Sequence, residues 1–185
     1  MVQPTRTYIN ASEYYQLLEY KQHDLIQLIN GEVIIGMPPI LKHQAIVREI
    51  LVMLTLLARK IGGNAYDSPI EVYLDDDNVY QPDVLYLAPD SKCTVGEKRL
   101  IGAPNLVVEV LSPGTAKFDR HEKYQAYEKH GVNEYWIVDP VYEVVEVWNI
   151  GADDIYVRQG AFAGDDTFAS SVLGESISVK AIFNV

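Results

Sequence analysis

The sequence predicts a single α/β domain that spans residues 1–185. Short apolar runs rich in Val, Ile and Leu, which are typical of buried strands, recur along the chain. Longer stretches with helical periodicity lie between these runs. No internal repeat, low-complexity tract or linker divides the sequence, and its length is ordinary for one hydrophobic core.

The composition is that of an ordinary globular protein, with 48% hydrophobic and 22% charged residues. The single cysteine, Cys93, excludes an internal disulfide and agrees with a reducing compartment. The N-terminus has no apolar signal segment, and the apolar run at residues 50–54 is far shorter than the roughly 20 residues that span a bilayer. We therefore predict a cytoplasmic protein that does not associate with membranes.

The net charge of −11 limits non-specific binding to polyanions, because affinity for nucleic acid comes largely from neutralising phosphates. A local basic surface remains compatible with this charge. Residues 117–129 contain more lysine and arginine than acidic residues, and they follow one of the most apolar runs of the chain.

The first third of the chain predicts a short helix, a hairpin and a long helix. Asn10 and Glu13 have the spacing of a capping box. The pair Asn30-Gly31 separates two apolar runs, which is the strongest short signal for a β-hairpin. From about residue 42 to residue 61 the apolar residues fall on one helical face, and Gly62-Gly63 ends this helix.

The remainder alternates between strands and one further helix. Asp119 and Glu122 have capping-box spacing and predict a helix that runs to about His130. Apolar or alternating patterns predict strands near residues 65–74, 81–87, 104–113, 134–138, 143–150 and 155–159, followed by weakly patterned strand-like pieces.

Two of these strands each contain one acidic residue. Glu109 lies within the apolar run 104–113, and Asp83 directly follows a proline in the run 81–87. An ionised carboxylate in apolar surroundings is unfavourable unless it is paired or binds a cation. For either residue alone, a structural hydrogen bond or ion pair is an adequate explanation. Together, the two acids indicate a site for a hard cation.

Other side chains are candidates for the same site. Lys123 shares a helix face with Asp119 and Tyr127, and its ammonium group could orient or deprotonate water and stabilise developing charge. Spacing alone favours a solvated Lys123 that pairs with Asp119, and it favours Asp119 as an N-cap rather than a ligand. His43 lies on the apolar face of the long helix, where a buried structural histidine is as plausible as an active-site one.

Several motifs together resemble the Uma-type family, whose members are assigned as restriction endonucleases within the PD-(D/E)xK nuclease superfamily. The resemblance also includes residues 30–32 and His43, so it covers most of the chain. The motifs are Gln81-Pro82-Asp83, residues 106–113, the series Asp119…Lys123…Tyr127, and residues 131–140.

The resemblance implies a restriction-endonuclease-like fold, with a central mixed β-sheet of about four strands flanked by helices. Here we expect an extra N-terminal hairpin and extra C-terminal strands. It also implies a magnesium-dependent phosphodiesterase site in which Asp83 and Glu109 bind the metal and Lys123 takes part in catalysis. His43, Glu32 and Tyr127 are secondary candidates for this site.

One departure from the superfamily pattern is important. The superfamily lysine lies two residues after the glutamate, and Leu111 occupies that position here. Either the lysine has moved to the following helix, as Lys123, or the site is catalytically impaired.

Two functions therefore remain open. The first is a metal-dependent endonuclease that acts on DNA as a homodimer, since one site cuts only one strand. The second is a catalytically inactive module on the same fold that binds nucleic acid or protein. The acidic composition and Leu111 favour the second, whereas the presence of Asp83, Glu109 and Lys123 favours the first. A nucleophilic hydrolase or a nucleotide-binding protein finds no support, because the sequence lacks a Gly-x-Ser-x-Gly motif and a glycine-rich phosphate loop.

Overall fold

The computed structural model describes residues 8–185; residues 1–7, where the sequence predicts no signal segment, lie outside this range. Asn10 and Glu13 form the predicted capping box, and Asn30 and Gly31 both have the positive φ that the hairpin turn requires. Within residues 8–185, no helix combines the length and apolarity of a membrane span. The N-terminal elements are α1 (Ala11–Tyr14), α2 (Leu18–Gln22), β1 (Ile26–Ile29), β2 (Glu32–Ile35) and α3 (Leu41–Ile61).

The middle of the chain consists of seven strands. The single strand predicted near residues 65–74 is wrong, because the chain there forms two strands that belong to different sheets. Pro69 lies between them, and it has no N–H group with which to continue a β-ladder. The strands are β3 (Asn64–Asp67), β4 (Glu71–Asp75), β5 (Asn78–Tyr80), β6 (Val84–Leu87), β7 (Thr94–Val95), β8 (Arg99–Ile101) and β9 (Leu106–Val110).

The C-terminal part contains three helices and five strands. The one helix predicted from Asp119 to His130 is instead two helices, with the chain turning at His121 between them. The predicted capping box of Asp119 and Glu122 is also wrong, since Asp119 lies inside the first of these helices. The elements are α4 (Ala116–Arg120), α5 (Glu122–His130), β10 (Glu134–Asp139), β11 (Val144–Ile150), β12 (Tyr156–Ala163), β13 (Thr167–Ala169), β14 (Ser176–Ser178) and α6 (Val179–Ile182).

Two mixed sheets organise the protein. The central sheet has the strand order β12-β11-β10-β9-β6-β3, in which β9 and β10 are parallel. The outer sheet has the order β2-β1-β5-β4-β8-β7 and contains the N-terminal hairpin. The predicted mixed central sheet is therefore confirmed. It has six strands rather than about four, since β11 and β12 extend it on one side.

The central sheet separates two apolar cores, and side chains alternate between them along β9. Val108 and Val110 pack with residues of α3 such as Ile50. Val107 packs on the opposite side with Tyr127 of α5 and with apolar residues of the outer sheet. All five side chains of β9 are buried, so Glu109 lies inside the protein, on the side of the sheet that α5 covers.

Candidate active site

The pairing of β6 with β9 brings Asp83 and Glu109 to the same end of the central sheet. The two strands are antiparallel, with Val84 opposite Val108. Asp83 immediately precedes β6, so it lies beside the end of β9 that contains Glu109. The carboxylate of Asp83 is also fixed by the backbone, because its Oδ2 accepts the N–H of Val110 at 2.7 Å.

Glu109 accepts two hydrogen bonds on a single oxygen. Lys123 Nζ and Tyr127 Oη each donate to Glu109 Oε1 at 2.8 Å. Burial raises the pKa of Glu109 to about 8, and although the charge of Lys123 opposes this shift, the charges of Asp119 and Asp83 reinforce it. A proton or another cation at Glu109 is therefore stabilised at neutral pH.

Lys123 is buried, and the solvated lysine that spacing alone favours is wrong. Only 2% of its side chain is exposed, and its ammonium nitrogen lies 2.8 Å from Glu109 Oε1 and 3.2 Å from Asp119 Oδ1. Burial lowers the pKa of Lys123, but the charges of Glu109 and Asp119 outweigh burial and raise the pKa above its usual value. Lys123 is therefore a charged ammonium group that contacts the side chains of both Glu109 and Asp119.

Asp119 contacts Lys123 in the same cluster of buried side chains, and the N-cap role that its position in the sequence predicts is wrong. Its carboxylate is buried, and Oδ1 contacts the Lys123 ammonium without forming a well-aligned hydrogen bond. Burial raises the pKa of Asp119, against the lowering effects of Lys123 and of the Thr115 hydroxyl. Its backbone carbonyl accepts the Tyr135 hydroxyl at 2.9 Å. The available sequence signal was the four-residue spacing between Asp119 and Lys123.

His43 reaches the same end of the sheet from α3, on the opposite face. Its Nε2 lies 2.9 Å from the Val110 carbonyl oxygen and 3.4 Å from Asp83 Oδ2. Because a carbonyl oxygen can only accept, Nε2 carries a proton, while the buried Nδ1 has no hydrogen-bond partner among the described residues. Burial lowers the pKa of His43, but the hydrogen bond and charge of Asp83 and the Val110 carbonyl outweigh burial and raise it.

The segment that leads to Asp83 is attached to the outer sheet by two glutamine side chains. Gln27 Oε1 accepts the N–H of Gln81 at 3.0 Å, and Gln81 Oε1 accepts the N–H of Ile26 at 3.2 Å. Glu32, a secondary candidate, is half-buried in β2, opposite Ile29 of the same hairpin. It thus belongs to the outer sheet, whereas Asp83 and Glu109 belong to the central sheet.

The donor set fits a magnesium ion better than a metal that requires a cage of side chains. Among residues 8–185, no group of three or more His, Cys, Asp and Glu side chains is arranged to hold a metal. Magnesium, however, is usually held by one or two carboxylates, with water and substrate phosphate as the other ligands. Asp83 and Glu109 use Oδ2 and Oε1 for the hydrogen bonds above, which leaves one oxygen of each for a cation. Their placement in an excess of buried negative charge also favours a cation.

A comparison with protein families identifies the chain. The Uma2 family, described as "Putative restriction endonuclease", matches residues 11–180. The chain belongs to this family. The matched range includes every residue of the cluster, and the resemblance inferred from the motifs is thereby confirmed. A relative of this Uma2 chain, "Uncharacterized protein sll1609" of Synechocystis sp., is 29% identical over 145 residues, which cover 75% of this chain and 79% of the relative.

A solved structure has the same fold as this Uma2 chain. The crystal structure of a "putative nuclease belonging to DUF820" from Anabaena variabilis aligns with a TM-score of 0.77 and 20% sequence identity. The alignment covers 95% of this chain and 98% of that one. The restriction-endonuclease-like α/β fold predicted from the sequence is therefore confirmed.

Proposed function

We propose that this Uma2 protein is a magnesium-dependent endonuclease that hydrolyses phosphodiester bonds of DNA. In this proposal Asp83 and Glu109 bind the metal, and Lys123 acts on the reacting phosphate and water. The observation that carries the proposal is the buried ammonium group of Lys123. It lies 2.8 Å from Glu109 Oε1, although Lys123 belongs to α5 and not to β9, where Glu109 lies. When bound, magnesium would supply an activated water and would offset charge on the phosphodiester.

The charge balance of the cluster supports a cation site. The Lys123 ammonium contacts the carboxyl groups of Glu109 and Asp119, and a third carboxylate at the same end of the sheet, that of Asp83, lies 3.4 Å from His43 Nε2. Burial raises the pKa of Glu109 to about 8, and the charges of Asp119 and Asp83 add to this shift against the opposing charge of Lys123, which favours a proton or a cation at this carboxyl group. A divalent cation would replace that proton and offset the same charge.

The contacts of Lys123 define its role. An ammonium group with a raised pKa does not accept a proton from water at neutral pH. We therefore assign Lys123 to orienting the attacking water and to stabilising the negative charge that develops on the phosphate, rather than to general-base catalysis. Asp119 is a positioning residue, whose Oδ1 lies 3.2 Å from the ammonium group. Tyr127 positions Glu109 through its hydroxyl group.

Leu111 is compatible with this assignment. It follows Glu109 by two residues and packs in the apolar core on the same side of the sheet as Val107. The ammonium group that other superfamily members supply from this position is supplied here from α5. A catalytically inactive binding module is the alternative function, and Leu111 together with a purely structural Glu109–Lys123 ion pair would favour it.

Cleavage assays with plasmid and oligonucleotide DNA test the proposal. We expect cleavage in magnesium, none in EDTA, and binding without cleavage in calcium, which is larger and orders the attacking water poorly. Lys123→Ala should abolish cleavage. Lys129→Ala, which changes an exposed lysine of the same helix, is the matched control and should have no effect. Cleavage that persists after chelation, or a fully active Lys123→Ala variant, would contradict the proposed mechanism.

The oligomeric state is part of the same proposal. A homodimer would allow two sites to cut both strands of a duplex. Sedimentation of the purified protein, with and without DNA, measures this state directly.

A further inference from the structure

A strip of exposed apolar side chains borders the candidate site, and we call it the apolar rim. Its residues are between 67% and 90% exposed, and exposed apolar surface that is more than scattered single residues often marks a binding site. The two segments that form it are joined by an ion pair of 2.9 Å between Lys42 Nζ and Glu143 Oε1. The rim consists of Met37, Ile40, Leu41, Val141 and Tyr142.

The apolar rim lies at the same end of the central sheet as the two carboxylates. Leu41 is two residues from His43, which contacts both Asp83 and the Val110 carbonyl. Tyr142 lies in the turn after β10, and β10 is hydrogen-bonded alongside β9 as far as Leu111. The rim is therefore on the same end of the molecule as a nucleic-acid strand that reaches the carboxylates.

The chemistry of the rim matches bases rather than phosphates. Aromatic and aliphatic side chains pack on the flat faces of bases, or insert between them. In an intact duplex these faces are stacked on one another and are not available to a protein surface.

The cations near the site leave few side chains for phosphate contacts. Affinity for any nucleic-acid backbone comes largely from lysine or arginine side chains that neutralise phosphates, so contacts with bases must contribute more of the affinity here. Lys42, Lys123 and Arg120 are all engaged in ion pairs with carboxylates of this chain. In the described segment from residue 111 to the end of α4, the cations are Lys117 and Arg120, and of these two Lys117 forms no ion pair.

We infer that the apolar rim binds unpaired bases beside the phosphate to be cut. The substrate class is then single-stranded DNA, or duplex DNA with a locally unpaired strand such as a bubble, flap or frayed end. This inference rests on the proposed nuclease function and narrows its substrate. It assigns to Tyr142 the role of a stacking platform and to Leu41 that of an apolar contact.

The test compares one DNA sequence in three forms: single strand, intact duplex, and duplex with a central bubble. Binding is measured by fluorescence anisotropy in calcium, and cleavage is measured in magnesium. We expect the single strand and the bubble to be bound and cut at least about ten-fold better than the intact duplex, since each stacked base contributes measurably to affinity. Tyr142→Ala and Leu41→Ala should each remove most of this preference and leave duplex binding unchanged. Val52→Ala, at an exposed apolar residue elsewhere on α3, is the matched control.

The outcomes separate this inference from the proposed function. If the intact duplex is cut as well as the single strand, or if the rim variants keep the preference, the inference is wrong and the nuclease function stands. If no form is cut in magnesium or manganese, the proposed function fails and the inference fails with it. If Leu41→Ala converts a dimer into a monomer on sedimentation while strand preference is unchanged, the rim is an interface between two copies and the inference is overturned.

Discussion

Two glutamates of neighbouring parallel strands occupy buried positions that look alike in the sequence but differ in how they are satisfied. Glu134, at the start of β10, accepts hydrogen bonds from Trp136, Ser170, Ser171 and the backbone of Val172, so donors engage both of its oxygens. These donors are all neutral, and they come from its own strand and the segment after β13.

Glu109, in β9, is satisfied on one oxygen only. Its partners are an ammonium group and a phenol, and two further carboxylates lie close enough to raise its pKa. The comparison separates two uses of a buried acid. A carboxylate with a full set of neutral donors anchors structure, whereas Glu109, which has one oxygen without a hydrogen bond, is the carboxylate that we propose as a metal ligand.

The largest expected effect comes from exchanging the carboxylates for amides. Glu109→Gln should lower the cleavage rate by about 10³-fold or more, because it removes a metal ligand and the partner of Lys123, while the protein remains folded. Glu134→Gln should instead lower the free energy of unfolding by about 1–3 kcal/mol, because an amide cannot accept on both sides, and should leave the rate per folded molecule unchanged. Single-turnover cleavage and urea unfolding measure the two quantities. A Glu134→Gln variant that folds normally but cannot cleave DNA would contradict the assignment of Glu134 to structure and of Glu109 to the site.

A smaller effect is expected for Asp119, which contacts the reacting groups only through Lys123. Asp119→Asn should lower kcat by about 10- to 100-fold with little change in KM, because the ammonium group loses one of its two fixing charges. In a Lys123→Ala background the same substitution should have almost no further effect on kcat, since nothing remains to be positioned.

The control for the Asp119→Asn and Lys123→Ala variants removes a hydrogen bond to the Asp119 backbone instead of changing its side chain. Tyr135→Phe deletes the hydrogen bond to the Asp119 backbone carbonyl and keeps the carboxylate, so it should alter stability more than kcat. Metal affinity measured by calorimetry provides a separate check. If Asp119→Asn weakens magnesium binding as strongly as Glu109→Gln does, Asp119 is itself a ligand rather than a positioning residue.

A separate effect, on stability rather than on cleavage, concerns pH. Since the pKa of Glu109 rises from 4.5 in the unfolded chain to about 8 in the folded one, the folded state holds this proton more tightly. The stabilisation is complete below about pH 4.5 and is lost as the pH rises to about 8, so the metal-free protein should become less stable over this window. Thermal unfolding with and without magnesium, compared with the Glu109→Gln variant, isolates the contribution. An identical pH dependence in the variant would assign the effect to other groups.

Elements with strong local signals were predictable from the sequence. The Asn30-Gly31 turn, the apolar face of α3 and the buried strand around Glu109 each follow from a few adjacent residues. The division of residues 64–75 between two sheets was not predictable, because both halves have the pattern of a strand and only tertiary pairing assigns each to its sheet.

The candidate site was predictable in its residue types but not in its details. The break at His121 and the burial of Lys123 depend on how α4 and α5 pack on the central sheet, which helical spacing does not record. For the same reason Asp119 was placed at a cap rather than beside the ammonium group. The hydrogen bonding of Glu134 was not predictable from the sequence, because three of its four donors lie more than thirty positions away.

The hydrogen bond from the Val110 N–H to Asp83 has a consequence for how this site can change in evolution. Every amino acid except proline supplies the same backbone donor, so the side chain at position 110 can vary without altering the direction of the Asp83 carboxylate. The orientation of the Asp83 carboxylate thus depends on the path of the backbone and not on the side chain at position 110. Distant relatives can preserve the geometry of Asp83 even where their sequences around it have diverged.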